Sequence, residues 1–204
     1  MAELVTPPSP ASYPKHLVNC WRLADGRTIA IRPVRPDDGP LEQDFVRSLS
    51  AKTRYYRFFN AIKELSPSML DRLTHIDYRQ QMTLVAVICE GDSETQIGAA
   101  EYVAEPCADT CEFAVVIHDA WQHMGLGTLL IESLMRCARA AGYARIEGEV
   151  MADNRPMLNL ARSLGFSVRM NAEDAKLVRV RKTLPPVEIY VTPIPRNAAV
   201  PCGD

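Results

Sequence analysis

The chain has 204 residues, 47% hydrophobic and 24% charged, with 23 Lys and Arg against 25 Asp and Glu and a formal net charge of -2. That is the profile of one globular domain plus tails, and it excludes a global field that would recruit nucleic acid or anionic lipid. No run of about 18 unbroken apolar residues offers a membrane span, and the opening residues, with Glu3 and four prolines, lack the charged start and apolar stretch of a secretory signal.

Met1 to Pro14 read as a disordered lead, because Pro7, Pro8, Pro10 and Pro14 remove backbone donors and no apolar period appears. Leu17 to Leu23 and Thr28 to Arg32 flank Asp25-Gly26, a hairpin signal. Asp37-Asp38 can cap a helix that carries Leu41, Phe45, Val46 and Leu49 toward a core. Ser50 can cap a second helix, which presents Tyr55, Tyr56, Phe58 and Phe59 among Lys52, Arg54 and Arg57. Packing of that aromatic group against a sheet is favoured over stacking on bases. Ser66-Pro67 opens a third helix through Met69, Leu70 and Leu73. Thr83 to Cys89, Gln96 to Ala104 and Glu112 to Ile117 then follow as the strands of a meander.

Leu126 to Ala141 carries an apolar stripe at 126, 129, 130, 134, 137, 138 and 141 and ends at Gly142, the pattern of a helix with one buried face. Arg145 to Met151 returns as a strand, and Asn154 to Leu164 is a helix closed by Gly165. Phe166 to Met170 and Leu177 to Lys182 form a final strand pair, in which Lys176, Arg179, Arg181 and Lys182 read as the guard of a sheet edge. Beyond Thr183, Pro185, Pro186, Pro193, Pro195 and Pro201 argue for an extended tail. The order gives an α+β, or mixed α/β, single domain over residues 15–183 with one central sheet, between a lead at 1–14 and a tail at 184–204. Cys20, Cys89, Cys107, Cys111, Cys137 and Cys202 lack paired CxxC spacing, so no metal site is expected and reduced thiols in the cytoplasm are the default. Cys107 and Cys111 read as ordinary residues rather than a disulfide or half a metal site.

The informative stretch is Gln122-His123-Met124-Gly125-Leu126-Gly127-Thr128, between a strand and the strongest helix. The first amides of a helix have no carbonyl partners within it, and the helix dipole adds positive charge, so a strand, a two-glycine loop and a helix start make an anion cradle. A P-loop is excluded, because no Lys follows Gly127. A dinucleotide fingerprint fits poorly, with Leu130 where its third glycine belongs, although Glu147 falls where a ribose-binding acid is expected.

Gln-x-x-Gly-x-Gly at 122–127, followed by Asn154-Arg-Pro-Met157-Leu158-Asn-Leu160-Ala161-Arg162-Ser-Leu164-Gly165-Phe166, resembles the GNAT superfamily of N-acetyltransferases. The similarity spans Trp21 to Thr183 and is greatest to the acetyltransferase domain of Pat-type bacterial protein lysine acetyltransferases. It is carried also by Asp25-Gly26, Ile31-Arg32-Pro33, Leu49-Ser50, Arg57-Phe58-Phe59 and Glu112-Phe113-Ala114-Val115-Val116. The accessory ligand-binding, synthetase-like and cyclic-nucleotide domains of larger relatives have no counterpart in this sequence, so their regulation is not carried over.

The resemblance implies a mixed sheet splayed between the strands at 112–117 and 145–151, flanked by helices, with the pantetheine arm of acetyl-CoA in the opening. It implies that backbone groups of Val115, Val116 and Ile117 pair with pantetheine, that amides of His123, Met124, Gly125, Leu126, Gly127 and Thr128 hold the pyrophosphate, and that Asn154 touches the pantetheine side. A free strand amide would also stabilise the oxyanion formed when an amine attacks the thioester. An acceptor lysine, with pKa near 10.4, needs a base. Glu112 is the candidate, sharing a strand face with Ala114 and Val116; Glu101 on the neighbouring strand is the reserve. His118 and His123 read as loop residues. Ala161 stands where the family's general-acid tyrosine is common, so no general acid is assigned; Tyr102 and Tyr143 stay open. Arg136, Arg139 and Arg162 are candidates for the adenosine 3′-phosphate or plain solvent-facing residues. The expected activity is acetyl transfer from acetyl-CoA to a primary amine, a protein lysine being favoured over a small amine or amino acid, with a non-catalytic acyl-CoA-binding module as the alternative of another class. No metal, nucleic acid or membrane partner is expected, and a homodimer stays open.

Overall fold

The computed structural model describes residues 12–22, 27–91, 93–105 and 107–186. The hairpin turn at Asp25-Gly26, most of the proline-rich lead and tail, and Cys202 lie outside them. In chain order the strands and helices are β1 (Asn19–Arg22), β2 (Thr28–Pro33), α1 (Gly39–Ser48), α2 (Ala51–Phe58), α3 (Pro67–Thr74), β3 (Gln81–Glu90), β4 (Ser93–Val103), β5 (Thr110–Ile117), α4 (Leu126–Ala140), β6 (Arg145–Met151), α5 (Arg155–Ser163), β7 (Ser167–Met170) and β8 (Leu177–Thr183). The strands join one sheet in the order β1-β2-β3-β4-β5-β6-β8-β7, antiparallel throughout except for the parallel pair β5 and β6. The anticipated meander is β3-β4-β5.

Each face of the sheet has its own helices. Side chains of a strand alternate between faces, so β3 sends Leu84, Ala86 and Ile88 to a cluster with Leu130, Ile131 and Leu134 of α4, and Val85 and Val87 to a second cluster with Phe45 and Val46 of α1. Buried on both faces, β3 is nearly continuous in apolar residues. The stripe of α4 lies where the 3.6-residue period puts it, with Leu130, Ile131, Leu134 and Ala138 fully buried.

Asp38 does not cap α1 with its side chain. Its carboxylate takes the Arg35 N–H at 2.7 Å and the buried Arg32 guanidinium at 2.6 and 2.9 Å. Arg32 also reaches Glu94 at 2.6 Å, so a charge only 1% exposed has two carboxylates. Ser50 caps α2 as expected, accepting the Thr53 N–H at 3.1 Å. Arg54 closes α1 from behind by donating to the Leu49 and Ile62 carbonyls.

Two further expectations are corrected. β8 is an interior strand between β6 and β7, so its arginines guard no edge; they pair with acids on β6, Arg181 with Glu147 at 2.5 Å and Arg179 with Glu149 at 3.4 Å. Glu147 is thereby committed to the sheet rather than to a ribose. The aromatic group of α2 is also not core: Tyr55 and Phe59 are 42% and 43% exposed, and only Phe58 packs against an apolar cluster.

Candidate active site

β5 and β6 pair only at their starts, Thr110 with Arg145, Cys111 with Ile146 and Glu112 with Glu147. Beyond that point β5 stays on β4 as far as Ile117, while β6 stays on β8 to its end at Met151. The parallel strands part and leave a notch. Gly148 stands at the fork, where a Cβ would lie 2.7 Å from the Phe113 carbonyl oxygen, so a larger residue would force the strands to shift.

The direction of the free peptide groups follows from the ladder. The His118 N–H bonds the Ile97 carbonyl at 2.9 Å, and antiparallel bonding alternates along a strand. Val116, Ala114 and Glu112 therefore turn their peptide groups to β4, so the Val116 backbone groups expected on pantetheine are spent in the sheet; Phe113 turns to β6, where the parallel pair of Glu112 with Glu147 takes its N–H, and Val115 and Ile117 turn theirs to the notch. The Ile117 carbonyl is already taken by Gln122 Nε2 at 3.1 Å.

The notch opens into a cavity of about 720 Å³, a volume suited to a cofactor-sized ligand. At one end begins α4. Gly125 precedes its first turn with φ +84°, and His123 has φ +62°. No side chain caps this helix, and its first internal bond runs from the Leu129 N–H to the Gly125 carbonyl at 3.1 Å. The amides of Leu126, Gly127 and Thr128 thus precede the ladder, at the positive end of a helix of 15 residues. The two glycines differ in purpose. A Cβ on Gly125 would meet nothing within 4 Å, so conformation alone demands glycine there, whereas on Gly127 it would stand 3.0 Å from Leu160 Cδ2. Gly127 lets α5 pack on α4. His123, Gly125, Gly127 and Thr128 line the cavity; Met124 is 64% exposed and Leu126 is buried.

Two side chains hold this loop: Gln122, a motif residue to which the sequence assigned no role, and Asp119, which the sequence did not single out. Gln122 ties it to the end of β5 through Ile117. Asp119 accepts the Ser50 N–H at 2.9 Å, the Ser50 hydroxyl at 2.7 Å and the Thr53 hydroxyl at 2.7 Å, fastening the start of α2 over the cavity. Burial works against the Asp119 carboxylate, but the bonds from Ser50 and Thr53 prevail and hold it below the usual carboxylate range. The Leu49-Ser50 and Gln122 positions of the motif are therefore tethers.

The opposite wall is acidic. Glu112, Glu101 and Glu149 line the cavity. Glu112 is exposed at the wall; partial desolvation, then the charges of Glu149 and Glu147, push its pKa up against the pull of Arg179. Glu101 faces Ala114 across the β4–β5 ladder and is ion-paired with Arg57 of α2, which makes it the weaker base of the two. Tyr56 and Phe58 of α2, with Phe59 just past its end, complete the wall.

Of the remaining candidates, Asn154 lines the cavity with its side-chain oxygen accepting the Met157 N–H at 3.2 Å. Ala161 is buried. Tyr102 and Tyr143 are both directed to the Arg79 carbonyl, at 3.1 and 3.3 Å, and neither borders the cavity. His118 caps the turn at Asp119–Trp121 by accepting the Ala120 N–H at 3.2 Å. Arg136, Arg139 and Arg162 lie outside the cavity lining. Among the described residues no group of three or more His, Cys, Asp or Glu is placed to hold a metal ion, and no helix is long and apolar enough to cross a membrane.

The chain is similar to known proteins over most of its length. A family model described as an acetyltransferase (GNAT) domain matches residues 28–167. Acetyltransferase PA5475 of Pseudomonas aeruginosa is 38% identical over 162 residues, covering 79% of this chain and 87% of that protein. Acetyltransferase Pat of Mycolicibacterium smegmatis is 30% identical over 175 residues, covering 82% of this chain and 49% of that protein. The GNAT domain of S. lividans PAT has a TM-score of 0.76 to this chain at 29% identity, covering 84% of this chain and 99% of that one. With residues 28–167 matched by the family model and a relative 38% identical over most of both chains, the chain belongs to the GNAT family of acetyltransferases.

Proposed function

We propose that the domain over residues 15–183 transfers acetyl from acetyl-CoA directly to a primary amine, and that the acceptor is a protein lysine. The observation that carries the reading is the meeting of three features in one cavity: unpaired peptide groups on β5, the open start of α4, and an acidic wall led by Glu112. Diphosphate suits the amides from His123 to Thr128. Pantetheine suits the notch, where Val115 presents its peptide groups and Ile117 its N–H, with the Val116 side chain closing the floor. Asn154, at the start of α5, borders the same space.

At neutral pH only about one lysine in 2,500 is uncharged, so the acidic wall has two uses. It attracts the ammonium, and the Glu112 carboxylate then accepts a proton directly or through water. The amine nitrogen bonds the thioester carbon, a β5 N–H takes charge from the oxyanion, and the C–S bond breaks with its electron pair on sulfur. A thiol of pKa near 8.5 leaves without a dedicated acid, consistent with Ala161 in place of a tyrosine. The five described cysteines are free, in keeping with a cytoplasmic setting.

A lysate treated with the protein and isotopically labelled acetyl-CoA, read by mass spectrometry, should show label on lysine side chains. Label confined to small amines would move the acceptor to that class. Tight coenzyme binding with no label anywhere would make the chain a binding module and overturn the reading.

A further inference from the structure

A second titratable group stands behind the acidic wall. Glu42, on the inner face of α1, is 4% exposed and set among Phe45, Val46 and Leu73. It accepts one hydrogen bond, from Gln96 Nε2 at 2.6 Å, and makes no ion pair with a described residue. Beside it is a cavity of about 10 Å³, close to the space of one water molecule. Thr83 enters that cavity from β3; it is 1% exposed, and its hydroxyl has no hydrogen-bond partner. A buried hydroxyl and a buried carboxylate facing one water-sized void are the partners a bound water needs.

The void is not isolated. Arg57, Phe58, Glu101, Ala114 and Val116 line both it and the acetyl-transfer cavity, so the Arg57–Glu101 pair is the partition between the two. We propose that Glu42 is the inner terminus of a proton path, connected through one water on Thr83 and through Glu101 to the nitrogen of the acceptor. The inference rests on the acetyl-transfer reading and adds a group to it.

The chemistry calls for such a group. A primary ammonium loses two protons on its way to an amide, one before attack and one from the nitrogen of the tetrahedral adduct. Glu112 accepts the first. For the second, the N–H bond breaks, Glu101 gains a proton and passes it to the water, and the water passes one to the Glu42 carboxylate, while Arg57 stays protonated throughout. The net change is one N–H bond lost and one O–H bond formed on Glu42. Glu42 touches no reacting atom and is a positioning residue for the proton. Its environment suits the exchange: burial pushes its pKa up, Gln96 and Arg57 pull it down, Glu101 and Asp38 push it up again, and the outcome is about 7.

The test uses Glu42→Gln, which keeps the shape and an acceptor for Gln96, and Thr83→Val, which removes only the anchor for the water. Both should leave the acetyl-CoA Kd and KM unchanged and lower kcat about tenfold. Glu42→Gln should also erase an inflection near neutral pH from the kcat profile, one that Glu112→Gln retains. Melting against pH supplies a readout without turnover. A carboxyl whose folded pKa is raised contributes its full stability below the unfolded value and loses it as pH rises through the folded one. Wild type should therefore lose several degrees relative to Glu42→Gln between pH 5 and 8. Transfer by wild type with an unaltered kcat profile in Glu42→Gln would overturn the proposal alone, whether or not kcat falls. Absence of transfer by wild type to any amine would instead overturn the acetyl-transfer reading on which it stands.

Discussion

The two sides of β5 behave differently. Toward β4, Glu112 to Ile117 are paired residue for residue with Val103 to Gly98; toward β6, pairing stops after Glu112. One strand is thus paired along one side and open along the other. Its β4-facing peptide groups fix its position, and past Phe113, where Gly148 lets β6 touch and then leave, the Val115 peptide groups and the Ile117 N–H face the notch with no strand partner. The notch comes from interrupting a sheet at one place while the pairings on either side continue.

Changes on the open side should have the largest effects. Gly125→Glu puts an L side chain at φ +84° and a negative charge at the open start of α4. Acetyl-CoA binding by calorimetry should fall by about 100-fold or more. Glu112→Gln should leave that binding unchanged and lower kcat by about 100-fold. Because the Glu112 pKa is raised, the wild-type acid limb should lie above the usual glutamate range, with activity rising as the carboxylate ionises, and the limb assigned to Glu112 should vanish in the variant.

Changes to the supports should be milder. Gly148→Ala drives a methyl against the Phe113 carbonyl; a cost of about 1–3 kcal/mol by chemical unfolding is expected, with weaker acetyl-CoA binding as the fork shifts. Asp119→Asn loosens α2 and should cost about 1–2 kcal/mol near neutral pH. The sign with pH is fixed by the lowered Asp119 pKa. Its contribution is present above the unfolded value and is lost as pH falls through the folded one, so the difference between wild type and Asp119→Asn should shrink in strong acid.

Much of this architecture was legible in the sequence, because local period and capping chemistry determine it. The stripe of α4, the Ser50 and Ser66 caps and the alternation of β3 to β5 each depend on residues within a few positions. The cradle at Gly125 was legible for the same reason. What was hidden depends on distant partners. Asp119 meets Ser50 and Thr53 across more than 60 residues of chain, and Glu42 meets Gln96 across 54. Gly148 looks like any strand glycine until Phe113 is placed beside it. The arginines of β8 suggested an edge because β7 precedes β8 in sequence yet lies outside it in the sheet. The aromatics of α2 could not be sorted into core or cavity wall by composition, since both environments favour large apolar surface.

A crystal structure with acetyl-CoA tests the central claim most directly. The diphosphate should lie on the amides from Gly125 to Thr128, with the pantetheine arm between β5 and β6 and the acetyl oxygen facing a peptide N–H of β5. A coenzyme bound elsewhere, or a notch closed by renewed pairing of β5 with β6, would contradict it.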